Sequence, residues 1–147
     1  MATLGYRDPR AAIRFLVDAL GAEPVLLHDD PASGAVYHGE LRLPGGGTVA
    51  VHSGAERNTL ADLTAAAGRD GYPPFSLHLE TGDPDAAYAR AVAAGATVVR
   101  ELQDRPLGTR GFIVRDPEGL YWSVGTPLPP VARDTGGRWR PVTGPAG

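Results

Sequence analysis

Cysteine is absent from this 147-residue chain, which excludes disulfides, thiolate nucleophiles and zinc–thiolate sites and leaves the redox compartment open. A surplus of positive charge is missing too. The formal net charge is -3 and no basic stripe runs along the chain, so nothing is set out to neutralise nucleic-acid phosphates. The apolar runs stop far short of bilayer length, which argues against a membrane partner. Met1 to Tyr6 shows no basic segment followed by an apolar run, which predicts no secretory signal and a cytoplasmic location. No glycine-rich phosphate loop opens a helix: Gly45-Gly46-Gly47 joins two strand-like segments and reads as a turn. Ser76, Ser123 and the histidines could form a hydrolytic triad on paper, but no nucleophile elbow accompanies them.

Turn-forming residues are plentiful, with 20 glycines and 14 prolines, and they predict many turns, short strands and few long helices. The length suits one domain, since two halves folding separately would each bury too little apolar surface. An internal repeat gives the organisation. Asp8-Pro9-Arg10-Ala11-Ala12 recurs as Asp83-Pro84-Asp85-Ala86-Ala87, and Leu20-Gly21-Ala22 as Ala94-Gly95-Ala96, a period of roughly 75 residues. Each Asp-Pro pair supplies an N-cap and a first helical residue whose missing N–H costs nothing. Each glycine supplies a left-handed stop. Ala12, Ile13, Leu16, Val17 and Leu20 form one helical stripe, and Ala87, Tyr88, Ala91 and Val92 another.

A strand precedes each helix, at Ala2 to Tyr6 and Phe75 to Thr81. Three more follow, at Pro24–His28, Val36–Leu43 and Thr48–His52, then at Thr97–Arg100, Arg110–Arg115 and Leu120–Gly125. The prediction is an α+β fold of two tandem βαβββ modules, at about residues 1–52 and 75–126, joined by a linker over 53–74 in which Thr59 to Ala67 could form a short helix. Residues 127–147 are rich in Pro, Gly and Arg and carry no period, so they read as a tail with Trp139 as its one anchor.

The tandem order, the Asp-Pro helix starts and the run Gly108-Thr109-Arg110-Gly111-Phe112-Ile113-Val114-Arg115-Asp116-Pro117-Glu118-Gly119 followed by Leu120-Tyr121-Trp122-Ser123-Val124 together resemble the vicinal oxygen chelate superfamily, the glyoxalase, bleomycin-resistance and extradiol-dioxygenase group. The resemblance covers about residues 1–126. It implies a curled eight-stranded mixed sheet around a cleft, and a homodimer.

In metal-dependent members of that family, four inward His or Glu side chains come from the first and last strands of both modules. Carried over by position, those slots fall near Met1, Ala50 or His52, Ser76 and Ser123. A divalent ion needs several nitrogen or oxygen ligands at about 2.0–2.2 Å, and His52 is the one good ligand among the four positions. Alternation turns Val49 and Val51 toward the helix and Ala50 and His52 toward the cleft. His78 and Glu80 share the face of Ser76 but stand about 7 Å apart along one strand, too far to share an ion easily. No metal and no other cofactor is therefore expected.

The expected ligand is an organic small molecule held in a cleft with apolar walls and a few orienting polar groups. The candidate lining is His52, Ser76, His78, Leu107, Arg110, Phe112, Tyr121 and Ser123, with Arg110 able to pair with an anionic group. Trp122 and Val124 belong to the core, and His28 and His38 read as surface residues. Sequestration of a bulky natural product or antibiotic is the leading functional reading. A metal-free isomerase or lyase using His78 or His52 as acid or base is the alternative, and a metal-dependent lyase or dioxygenase a third.

Overall fold

The computed structural model describes residues 1–53, 76–127, 131–133 and 139–141. The first module runs β1 (Ala2–Tyr6), α1 (Pro9–Asp18), β2 (Glu23–Asp29), β3 (Val36–Arg42) and β4 (Thr48–Ser53). The second repeats it with β5 (Leu77–Glu80), α2 (Pro84–Ala93), β6 (Thr97–Arg105), β7 (Thr109–Arg115) and β8 (Tyr121–Gly125). A single 3-10 turn, Pro106–Gly108, joins β6 to β7.

The repeated sequence signals act alike in both copies. Asp8 accepts a hydrogen bond from the Ala11 N–H and Asp83 from the Ala86 N–H, each at 2.9 Å, so an orphan donor of each first turn is satisfied. Gly21 and Gly95 follow the helices with φ of 73° and 79°, where a side chain would be strained. Ala12 and Leu16 of α1 and Ala87 and Ala91 of α2 are buried. Val92 lies off that stripe and is 47% exposed.

Each module folds into a four-stranded mixed sheet, with orders β1-β4-β3-β2 and β5-β8-β7-β6. The crossover helix lets β1 run parallel to β4 and β5 parallel to β8, whereas the hairpins make the remaining pairs antiparallel. The fold is thus α+β with tandem βαβββ modules. The eight strands stand in two sheets that are not closed, and β1 and β5 are edge strands.

One apolar core joins the modules. It takes Leu4, Leu16, Leu41, Val49 and Val51 from the first and Leu79, Phe112, Val114, Trp122 and Val124 from the second. Asp116 ties them further. Its carboxylate accepts from the Tyr6 hydroxyl at 2.7 Å and the Trp122 indole at 3.3 Å, and from the Glu118 and Leu120 N–H groups at 3.0 and 2.9 Å. With every acceptor site filled, a buried carboxylate is tolerated.

Two strands lie beyond the second module, β9 (Val131–Arg133) and β10 (Trp139–Pro141), paired antiparallel. At three residues each they are too short for periodicity to register. The Thr59–Ala67 helix predicted in the linker lies outside the described residues.

Candidate functional site

The side chains of each sheet divide between a face packed on the core and an open face. In the second module Leu79, Phe112, Val114, Trp122 and Val124 take the core face. Alternation then turns Tyr121, Ser123 and His78 to the open face. His78 stands opposite Ser123 in the parallel β5–β8 ladder, and its Nδ1 lies 3.2 Å from the Ser123 Oγ. Glu80 follows on the same face, opposite Gly125. Ser76 is exposed immediately before β5. These five strand and pre-strand positions therefore share a largely polar, open surface.

Two residues predicted to line the cleft lie elsewhere. Phe112 is fully buried on the core face, its ring 5.1 Å from that of Tyr88 in an edge-on contact at 67°. Register explains the correction, because Phe112 pairs with Val124 while Ile113 pairs with Ser123. Arg110 shares the face of Phe112 and turns to α2. There Asp85 accepts from its Nε and Nη2, both at 2.9 Å, and Asp104 from Nη1 at 3.0 Å. The Asp85 hydrogen bonds, then that of Asp104, raise the Arg110 pKa further, and Arg110 in turn holds the Asp85 carboxyl below its ordinary value. An arginine with two carboxylates in hand is not free for an anionic ligand. Leu107 sits in the 3-10 turn, with its side chain outside the described residues.

In the first module His52 turns to the open face, since Leu4 and Val51 pair on the core side and Gly5 stands opposite His52. Its Nδ1 donates to the Ser53 carbonyl at 3.2 Å. Sequence reasoning missed the company it keeps. His28 stands directly opposite His38 on β2 and β3, and one step past the Gly39–Val51 pair His38 and His52 occupy adjacent strands on one face. His38 also donates from Nε2 to Glu40 at 2.8 Å. The hairpin spacing of β2 and β3 carried this register, but the β-bulges in that ladder shift it from a simple count.

The donor set does not fit a family-type divalent ion. Met1 is 74% exposed at the edge of the first sheet and offers only a thioether. Ala50 offers nothing, and Ser76 and Ser123 offer neutral hydroxyls. His52 and His78 stand on different sheets. Among the described residues no group of three or more His, Asp or Glu side chains is placed to hold one ion.

A cavity of about 350 Å³ lies at the junction of the modules, with Glu23, Arg42, Leu43, Thr81, Asp83 and Arg90 in its wall. Much of its polar wall is already engaged: Asp83 caps α2, and Arg90 donates to the Leu20 carbonyl at 3.4 Å at the end of α1. None of the sequence-predicted site residues lines it. The open faces are therefore the better candidate site.

Residues 1–124 match the Glyoxalase/Bleomycin resistance protein/Dioxygenase superfamily, and the chain belongs to that family. Among its relatives, uncharacterized proteins of Mycobacterium bovis and Mycobacterium tuberculosis are 35% identical over 133 residues. That span covers 86% of this chain and 82% and 73% of the two relatives. Of solved structures, TioX from Micromonospora sp. ML1 is 34% identical with a TM-score of 0.66, over 86% of this chain and 96% of that one. A glyoxalase-related enzyme from Fulvimarina pelagi is 22% identical with a TM-score of 0.60, over 95% and 96% of the two chains, and shows the fold. No described helix is long and apolar enough to cross a membrane.

Proposed function

We propose that this protein binds an organic small molecule on the open faces of its sheets without a resident metal ion, and that it works as a sequestering protein for a bulky natural product or antibiotic in the cytoplasm. The observation that carries this is the donor set. Where metal-dependent members present imidazoles and carboxylates, this chain presents Met1, Ala50 or His52, Ser76 and Ser123, at most one good ligand among them, while His52, His78 and Tyr121 can orient and stack an organic ligand. A homodimer fits the same reading, because β1 and β5 each have an unpaired edge and neither sheet encloses a cleft by itself.

A thermal-shift screen with divalent metals and a panel of natural-product antibiotics tests it, since only a compound that binds the folded state raises the melting temperature. Stabilisation by organic compounds and not by metals is expected. Stabilisation by metals alone would overturn it.

The His78–Ser123 contact supports a second reading, a metal-free isomerase or lyase. A histidine hydrogen-bonded to a hydroxyl on an open face can move a proton at a bound substrate. Turnover that disappears in His78→Ala, with binding retained, would favour this reading over sequestration.

A further inference from the structure

We propose that the cavity at the junction of the modules is a second binding site, apart from the open faces, and that it takes a zwitterion of dipeptide size. Its volume of about 350 Å³ lies at the small end of the range for ligand pockets. Four charged side chains line it, Glu23 and Arg42 from the first module and Asp83 and Arg90 from the second. All four are exposed, so a ligand can reach them. They stand around the cavity without closing on one another. Arg42 Nη1 lies 3.6 Å from Glu23 Oε2, beyond hydrogen-bond reach. Arg90 donates from Nη2 to the Leu20 carbonyl at 3.4 Å, a long contact that leaves Nε and Nη1 without a partner among the described residues. Asp83 accepts the Ala86 N–H with Oδ1, and its Oδ2 takes no donor among the described residues. Where this chain uses an arginine as a structural tie the bonds are shorter: Arg110 holds Asp85 and Asp104 at 2.9 and 3.0 Å.

Asp83, Ala86, Ala87 and Arg90 are the i, i+3, i+4 and i+7 positions of one stripe of α2, so an acid and a base stand at the two ends of a floor of alanines. The stripe is particular to the second helix, because seven residues after Asp8 the first carries Phe15. Gly21 makes room for the guanidinium: a Cβ there would fall 2.8 Å from Arg90 Cζ. With two positive and two negative groups in the wall, a plain anion meets Glu23 and Asp83 and a plain cation meets Arg42 and Arg90. A molecule that carries both charges satisfies both. Seven residues of helix set Asp83 and Arg90 about 10.5 Å apart along the axis. The terminal charges of a single amino acid stand about 3.5 Å apart and those of an extended dipeptide about 7 Å, which, with a hydrogen bond at each end, favours the dipeptide. Its ammonium goes to Asp83, whose full charge outweighs the half charge of the helix N-terminus, and its carboxylate to Arg90.

The test uses the full chain with L-alanyl-L-leucine, its N-acetyl form, its C-terminal amide and L-leucine, titrated by calorimetry into the native protein, Asp83→Asn and Arg90→Met. Asparagine still caps α2 and methionine keeps the apolar stem, so both variants are expected to melt within about 4 °C of the native protein. The native protein should bind the dipeptide about tenfold more tightly than any of the other three probes, a comparison that stands whatever the variants do. Asp83→Asn should weaken the dipeptide about tenfold and leave the N-acetyl form unchanged, whereas Arg90→Met should weaken it as much and leave the amide unchanged. Equal binding of the dipeptide and its blocked forms, or a preference that survives either substitution, overturns the assignment. Tightest binding of the N-acetyl form would overturn the zwitterion in favour of an anion, and tightest binding of leucine would overturn the dipeptide size. A dipeptide affinity that falls in His78→Ala would move the ligand to the open face, and no binding at about 10 mM would remove it altogether. None of these failures touches the open-face reading, which the thermal-shift screen tests with other compounds.

Discussion

The Tyr6 hydroxyl donates a 2.7 Å hydrogen bond to Asp116 Oδ2, joining the end of the first strand to the turn of the last hairpin. Both residues are buried, at 3% exposure each. Arg7 and Asp8 extend the tie, their N–H groups donating to Glu118 at 2.9 and 2.7 Å. The two modules are thus held in register from a single turn, and the face each presents to a ligand depends on that turn. Tyr6→Phe removes the hydroxyl and leaves the carboxylate buried with one donor fewer, at a cost of about 1.5–3 kcal/mol. Urea unfolding followed by fluorescence checks this through a lowered midpoint at unchanged slope.

The same contact sets an alkaline limit. Burial, and then the charge and hydrogen bond of Asp116, push the Tyr6 hydroxyl far above its ordinary value. The folded state therefore keeps a proton that the unfolded chain loses at about pH 10. Stability from this group is present in full below that pH and declines by about 1.4 kcal/mol per unit above it. Stability measured from pH 9 to 11 should fall less steeply in Tyr6→Phe than in the native protein. Parallel curves would show that Tyr6 ionises freely.

Phe112 separates core from cleft. Its full burial against Tyr88 predicts a loss of about 3–5 kcal/mol in Phe112→Ala. Phe112→Leu keeps most of the volume and should leave the affinity for any ligand of the open face unchanged. Weaker binding in a stably folded Phe112→Leu would return this ring to the cleft.

The fold was legible because its signals are local and doubled. Asp8 and Asp83 cap their helices where the Asp-Pro pairs stand, and Gly21 and Gly95 take positive φ. The face of each strand was harder to read, because it turns on register. Trp122 and Val124 alternate cleanly into the core, but one residue of offset on β7 sends Phe112 and Arg110 to the core side and Ile113 to the open side. The irregular β6 ladder, which shifts register between Val98 and Arg100 and again before Gln103, defeats a simple count of alternation from Thr97.

Gly111 and Gly125 stand opposite each other where β7 and β8 approach closely. A Cβ on Gly111 would fall inside contact distance of the Val124 carbonyl, and one on Gly125 would lie 2.7 Å from the Arg110 carbonyl. Backbone cannot yield as a flexible side chain does, so Gly111→Ala should destabilise by about 1–3 kcal/mol. A thermal melt at neutral pH checks the loss, and an unchanged melting temperature would mean that the strands separate freely at this point.

His52 and His78 stand on different sheets of one chain, which makes subunit mixing a decisive test of the dimer-built cleft. If each site combines the first module of one chain with the second module of its partner, His52→Ala and His78→Ala chains are each defective in both sites of their own homodimers. In a mixed dimer one site collects both substitutions and the other collects neither. Random mixing gives half mixed dimers, so about a quarter of the native binding capacity should reappear when the two variants are unfolded together and refolded. Calorimetry with a stabilising compound from the thermal-shift screen counts those sites. Capacity that stays at zero on mixing would place both histidines in a cleft made by one chain, and the open edges of β1 and β5 would need another partner.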